Sequence, residues 1–189
     1  SGTFTTALTS YDRGPGLHKW QHYIEFYDRR FAKLDRPLRI LEIGVQSGGS
    51  LHLWSRLVHP ESTIVGIDIN EPCRRYAGGN IIVEIGSQAD TEFLNEIAAK
   101  YGPFDIIVDD GSHIPEHQEI SFRTLAKHIA PGGVYFIEDI HGRRNPFTGF
   151  VFGLAMQLNE MSLDTDVFDC HVNSIQRAIT SVEFGAFFA

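Results

Sequence analysis

The chain has only two cysteines, Cys73 and Cys170, without the spacing of a metal site, so neither a disulfide framework nor a zinc cluster organises it. Both are expected to be small buried residues. Long apolar runs are missing as well. A bilayer span needs about 20 consecutive apolar residues, and the N-terminus lacks the basic-then-apolar start of a secretory signal. A soluble, cytoplasmic protein with no membrane partner is the expectation. Basic charge is also scarce: 16 Lys and Arg stand against 24 Asp and Glu, a formal net charge of -8. That balance excludes nucleic acid held mainly through its phosphates, which requires clustered Lys and Arg. It suits a cation instead.

What is present is an ordinary globular composition, 42% hydrophobic and 21% charged, over 189 residues. This length fits one domain with a two-sided core. From Pro37 onward, short β-branched runs alternate with helical patterns, the signature of a parallel sheet with crossover helices. Strands are expected at LRILEIGV, TIVGIDI, IIVEIG, FDIIVDD and GVYFIED, each apolar enough to be buried on both faces. Helical spacing appears in Leu51, Trp54 and Val58, and in Phe122, Leu125, Ala126 and Ile129, with the PGG at 131–133 ending the second of these. Residues 1–36 form an N-terminal helical segment whose Trp20, Tyr23, Ile24, Tyr27 and Phe31 share one stripe. Phe147, Phe150, Val151, Leu154 and Leu158 mark a further helix, and VFDCHVNSIQ and ITSVEFGAFFA read as two last strands. The expected domain is thus single, 1–189, with an α/β core over 37–189.

The loop LEIGVQSGGS sets Gly44, Gly48 and Gly49 between a buried strand and a helix, where backbone N–H groups are free to meet a polar ligand. Asp68 ends the second strand, positioned to accept hydrogen bonds from two ribose hydroxyls. Together they indicate an adenosine-containing ligand. The loop offers Gly-x-x-x-Gly-Gly, with Glu42 two residues ahead, rather than the dinucleotide Gly-x-Gly-x-x-Gly, and this favours S-adenosylmethionine over NAD. Ser47 and Ser50 in the loop, and Ser87 and Gln88 after the third strand, complete the expected cofactor contacts. Asp90 either reaches the adenine edge or caps the following helix.

Two strands end in paired acids, VDDGSH and FIED. Neighbouring strands lie about 4.8 Å apart, and in open α/β sheets ligands bind beyond the carboxyl ends of the strands. The acids therefore converge, and such crowding is costly unless a cation neutralises it. Mg²⁺, which prefers oxygen ligands, is expected on Asp110, Glu138 and Asp139. Asp109 points to the other face of its strand and is left as a structural acid or as one that orients the bound cofactor. His113, one turn beyond Asp110, is expected either as general base or as a group orienting a ligand.

LEIGVQSGGS, GIDIN, GSQAD, VDDGSH and PGGVYFIED occur in the order and spacing of the class I S-adenosylmethionine-dependent methyltransferases. More narrowly, the chain resembles the metal-dependent sugar O-methyltransferases of macrolide biosynthesis and the related cephalosporin-hydroxylase-like group. The resemblance runs from about Tyr11 to the end. It implies a Rossmann-like fold with a mostly parallel seven-stranded sheet and helices on both faces. It also implies an enzyme of antibiotic biosynthesis that methylates a hydroxyl of a glycosylated small molecule, with S-adenosylhomocysteine as product. Asp110, Glu138 and Asp139 would hold Mg²⁺ and His113 would serve as base; Tyr11, Lys19, His22 and Tyr23 would lie near the cofactor. A dimer or tetramer is implied too. The chain departs from the family in having only 36 residues before the first strand and in the loop HGRRNPFTG. An NAD-dependent oxidoreductase and a non-catalytic cofactor-binding homologue are the alternatives.

Overall fold

A computed structural model of the chain describes residues 3–31, 35–160, 162–163, 170–171 and 174–189. The expected β-branched runs form five parallel strands, β1 (Arg39–Ile43), β2 (Thr63–Asp68), β3 (Ile81–Ile85), β4 (Phe104–Asp109) and β5 (Ile129–Ile137), in the order β3-β2-β1-β4-β5. Strand order reverses beside β1, which pairs with both β2 and β4. The carboxyl-end crevice at such a reversal is where open α/β sheets bind their ligands.

Because side chains alternate across a strand, each strand feeds two cores. Ile40, Ile64, Ile106, Val108 and Phe136 pack on one face against α1 (Thr3–Thr9), α2 (Ile24–Phe31) and α3 (Gly49–Leu57) through Phe4, Tyr27, Leu51, Leu53 and Trp54, joined by Tyr23 from the turn before α2. Leu41, Ile43, Val65, Ile67 and Ile107 pack on the other against α4 (Thr91–Tyr101) and α5 (Pro115–Leu125). A smaller cluster joins Ile137 and Ile140 to Phe147 and Val151 of α6 (Pro146–Gln157). No described helix is long and apolar enough to cross a membrane.

Several expectations are corrected. The main sheet has five strands, not seven. The pair β6 (Ser162–Leu163) and β7 (Cys170–His171) is a separate two-residue ladder, and α7 (Ser174–Ala178) occupies part of the segment read as a strand. The rest of VFDCHVNSIQ lies largely outside the described residues, as does the Cys170 side chain; Cys73 is buried and free. The last segment, ITSVEFGAFFA, is irregular until its end, where Ala189 exchanges backbone hydrogen bonds with Ile137 and the Phe187 carbonyl accepts from Ile140 N–H. It covers the open edge of β5 without becoming a strand. Ile129 begins β5 rather than closing α5, and PGG sits inside β5. The pairing there jumps from Phe104↔Ile129 to Ile106↔Val134, a bulge that accommodates a proline with no N–H to donate on an edge strand. Trp20 leaves the helical stripe, since Gln21–Tyr23 form a 3-10 turn before α2.

Leu41 lies in the middle of the central strand and is fully buried. Leu41→Ala should therefore lower unfolding free energy by about 3 kcal/mol, measured as a reduced urea midpoint with unchanged slope.

Candidate functional site

Strand parity builds the site. Glu42, Asp110 and Glu138 follow the residues of β1, β4 and β5 that face α2, so all three carboxylates emerge on that side. Into them the N-terminal segment inserts Lys19. Its Nζ lies 2.8 Å from Asp110 Oδ2, 2.6 Å from Glu138 Oε1 and 3.7 Å from Glu42 Oε1, and its side chain is 1% exposed. Tyr27 also donates to Glu138, and Ser50 to Glu42 at 2.7 Å. Burial alone would favour a neutral amine, but Glu138, Asp110 and Glu42 outweigh it and hold Lys19 well above the usual lysine range. One ammonium does not satisfy three acids. Burial, only partly offset by Lys19, pushes Glu42 up to about 7 and Glu138 to about 8.

Asp109, on the opposite face, is fully buried and accepts from Ser121 Oγ at 2.7 Å and Gln88 Nε2 at 3.1 Å. Burial raises it to about 6 against those two bonds. It fastens α5 and the loop after β3 to the sheet, and it does not reach the cavity.

A cavity of about 630 Å³ lies over the strand ends, within the range of small-molecule sites. Of the residues expected to bind the cofactor, Gly44, Ser47, Ser50, Asp68, Ser87 and Gln88 line it; so do Asp110, His113 and Asp139. Gly44 has φ +93°, and a Cβ there would sit 2.1 Å from the Asp110 carbonyl, so only glycine permits this close passage of β1's loop past β4's. Asp68 Oδ2 accepts from the N–H groups of Val45 and Gln46, and its Oδ1 from Asn70. Burial opposes its charge, but these donors prevail and hold the carboxyl below its ordinary value.

Other expected residues lie elsewhere. Glu42 and Glu138 are buried beneath the cavity floor, and Gly48 lies against the Tyr76 ring. Tyr11 donates to the Pro15 carbonyl and stacks under Arg56; His22 contacts the Ala186 carbonyl. Tyr23 donates to Asp139 Oδ1 at 2.8 Å and accepts from Asp139 N–H at 3.1 Å, so it props the acid rather than the cofactor. Asp90 is a helix cap, accepting from Glu92 and Phe93 N–H. The sequence reading placed Lys19 near a cofactor and missed its ion pairs. Lysine preceding an aromatic stripe is the only signal, and it names no partner. Gly16, Leu17 and His18 also line the cavity and were not foreseen.

Asp110, His113 and Asp139 present ligand atoms within 4.8 Å of one another. His113 Nε2 is 3.5 Å from Asp139 Oδ2 and 3.9 Å from Asp110 Oδ1, while its buried Nδ1 has no hydrogen-bond partner among the described residues. His113 and Asp139 both adopt left-handed backbone, φ 57° and 56°, uncommon for residues with a side chain and frequent at functional sites.

A family model described as a methyltransferase domain matches residues 41–140, from β1 to just past the second acid pair. The chain belongs to this methyltransferase-domain family. Among its relatives is the demethylmacrocin O-methyltransferase of Streptomyces fradiae, 40% identical over 141 residues, covering 70% of this chain and 35% of the relative. The mycinamicin VI 2''-O-methyltransferase of Micromonospora griseorubida is 44% identical over 134 residues, covering 66% and 32%. The MycE methyltransferase of the mycinamycin biosynthetic pathway, solved with Mg, SAH and mycinamycin VI, superposes with a TM-score of 0.82 at 28% identity. That match covers 100% of this chain and 52% of that one. The methyltransferase domain thus spans about a third of the curated relatives it matches and about half of the solved one.

Lys19→Met should destabilise the domain by about 3 kcal/mol at pH 8, because the buried acids lose the one cation that the described residues place among them. Glu42 and Glu138 bind a proton more tightly folded than unfolded. Each therefore favours folding most below its ordinary value of 4.5. That advantage is lost as pH rises through about 7 for Glu42 and about 8 for Glu138. The loss in the variant should consequently shrink between pH 8 and pH 5, followed by urea unfolding across that range.

Proposed function

We propose that this chain is the catalytic domain of an S-adenosylmethionine- and Mg²⁺-dependent O-methyltransferase whose acceptor is a hydroxyl on a glycosylated small molecule. The observation carrying the reading is the pairing of a cavity lined by Gly44 and Asp68 with the Asp110, His113 and Asp139 cluster on its wall. Relatives named for sugar O-methylation, and a solved relative holding Mg and SAH, support the same assignment. Residues 37–189 form the core in this reading, and 1–36 close it.

The donor set fits a divalent cation: two partly buried carboxylates and an imidazole converge at one cavity wall. Asp110 and Asp139 would hold it. Glu138, expected from the sequence as a third ligand, has Oε1 engaged by Lys19 and Tyr27 and lies outside the cluster. A bound Mg²⁺ supplies acidification and orientation of adjacent acceptor hydroxyls. Asp68 holds the ribose, and the Gly44–Ser50 loop receives the amino-acid end of the cofactor. His113, whose Nε2 faces Asp110 and Asp139 at the cavity wall, would take the proton of the acceptor hydroxyl. A bound S-adenosylmethionine would supply the methyl group for the acceptor oxygen, with S-adenosylhomocysteine as the leaving group. Most of the acceleration comes from orientation, since methyl transfer asks for alignment more than for acid catalysis.

EDTA should reduce methyl transfer to background and added Mg²⁺ should restore it, with S-adenosylhomocysteine affinity by calorimetry unchanged throughout. Full rate in EDTA would remove the cation from the reading. His113→Ala should lower the rate at neutral pH about a hundredfold, with partial recovery at alkaline pH as solvent base substitutes. A pH profile parallel to that of the parent enzyme would exclude His113 as base.

A further inference from the structure

Gln88 follows β3 at the edge of the cavity, yet it is only 6% exposed and the protein itself engages both ends of its amide. Nε2 donates to Asp109 Oδ1 at 3.1 Å and lies 3.3 Å from Oδ2 and 3.2 Å from Ser121 Oγ, while Oε1 accepts from Ser112 N–H at 2.7 Å. A carboxylate accepts and a backbone N–H donates, so the amide is held in one sense. The fit is close: a Cβ on Gly111 would lie 2.1 Å from Gln88 Oε1. The bond also falls on a segment with little else to hold it. Asp110 N–H is tied to the Ile43 carbonyl at 2.9 Å, and Pro115 opens α5. Between them run Gly111, Ser112, His113 and Ile114, with His113 in left-handed backbone. Gly111 N–H bonds Asp109, Ile114 N–H bonds Ser112 Oγ, Ser112 Oγ meets His117 Nδ1 and the Ile114 carbonyl accepts from Gln118 N–H, all within the end of β4, the loop and α5. Among the described residues, Gln88, 24 positions from Ser112, supplies the one hydrogen bond that reaches residues 111–114 from elsewhere in the fold.

We propose that Gln88 is a positioning residue for the transfer step: its amide, oriented by Asp109 and Ser121, holds the Ser112 N–H and so sets the left-handed turn that presents His113 to Asp139 and Asp110. The inference rests on the O-methyltransferase reading, and it reassigns a side chain that the sequence suggested as a cofactor contact. Removing the amide leaves the Ser112 N–H and a buried carboxylate each short of a partner. Left-handed backbone is uncommon for histidine, so without that bond the turn has no local preference to keep it. The loop then relaxes and His113 moves away from the two acids that share its site. Displacement of a proton acceptor lowers the rate while leaving ground-state binding of the cofactor intact. Asp109 acts one step further back, since its carboxylate decides which end of the Gln88 amide faces Ser112.

The test uses the full chain with Gln88→Leu, Gln88→Glu, Asp109→Asn and the double variant Gln88→Glu/Asp109→Asn, which exchanges donor and acceptor while keeping a single carboxylate in the pair. Hydrogen–deuterium exchange of the ligand-free protein, read by mass spectrometry, should quicken about tenfold over residues 110–114 in Gln88→Leu, with β1 and β2 as slow as in the parent. S-adenosylhomocysteine affinity by calorimetry should stay within about threefold of the parent, whereas kcat for transfer from S-adenosylmethionine to a rhamnosylated polyketide should fall about thirtyfold. Gln88→Glu sets two carboxylates against each other and should behave like Gln88→Leu. The double variant should recover slow loop exchange and most of kcat, an interaction that the single variants do not sum to. If Gln88→Leu does not fold, Asp109→Asn and the double variant carry the same comparison. A fall in cofactor affinity with loop exchange and kcat unchanged makes Gln88 a cofactor contact and overturns the proposal. Exchange that quickens equally in all strands, or a double variant no better than Gln88→Glu, overturns it as well. Quickened, rescuable loop exchange in a parent protein that transfers no methyl group upholds the hold on the loop and removes the reaction instead.

Discussion

Three carboxylates, Glu42, Asp110 and Glu138, meet one buried ammonium, Lys19, beside the cavity that Asp110 lines, and the arrangement of the site depends on that encounter. Acids buried at adjacent strand ends repel one another and lose their water. The sheet tolerates them there because a cation from another part of the chain is inserted among them. Pinning Lys19 fixes its neighbours. Gly16, Leu17 and His18 become cavity wall, and Trp20 reaches Asp139. Gly49 shows how closely this segment is applied, since a Cβ there would lie 2.1 Å from the Gly16 carbonyl. Neutralisation is incomplete, so Glu42 and Glu138 remain raised and the cluster retains a demand for positive charge on its solvent side.

The second constraint is conformational. His113 and Asp139 sit in left-handed backbone, which costs of order 1 kcal/mol or more for a residue with a side chain. The cost is met by neighbours. Tyr23 binds Asp139 through both its backbone N–H and its carboxylate, while the C-terminal segment ties Ile140 and Ile137 in place. The backbone reversals turn both side chains toward Asp110. Without them the two acid pairs would be adjacent strand ends, and Asp139 would not meet His113.

Much of this was legible beforehand, for reasons that lie in particular residues. The five parallel strands followed from continuous β-branched runs, and the separation of Asp109 from Asp110 followed from strand parity. The loop around Gly44 was readable because only glycine accommodates a left-handed turn against a neighbouring backbone. PGG misled, since Pro-Gly-Gly ordinarily ends an element, yet an edge strand absorbs it as a bulge. ITSVEFGAFFA misled because its β-branched and aromatic residues serve packing: Phe188 joins the core with Tyr23 and Phe136, and only the last residues pair with β5. Tyr11, His22 and Tyr23 carried the right chemistry for a cofactor contact, but nothing local states which way a side chain before a helix will face.

By itself the sequence determined the order of strands and helices, the crowding of acids at two strand ends, and the glycine loop at the first strand. These are properties of periodicity, backbone freedom and charge within short windows. Only the tertiary structure decided that Lys19 sits among Glu42, Asp110 and Glu138, that His113 and Asp139 close on each other, and that Trp20 and Phe187 flank them. Lys19 lies 91 and 119 positions from Asp110 and Glu138, Trp20 lies 119 from Asp139, and even Lys19 with Glu42 and His113 with Asp139 are 23 and 26 apart, so close packing rather than local pattern selects the partner.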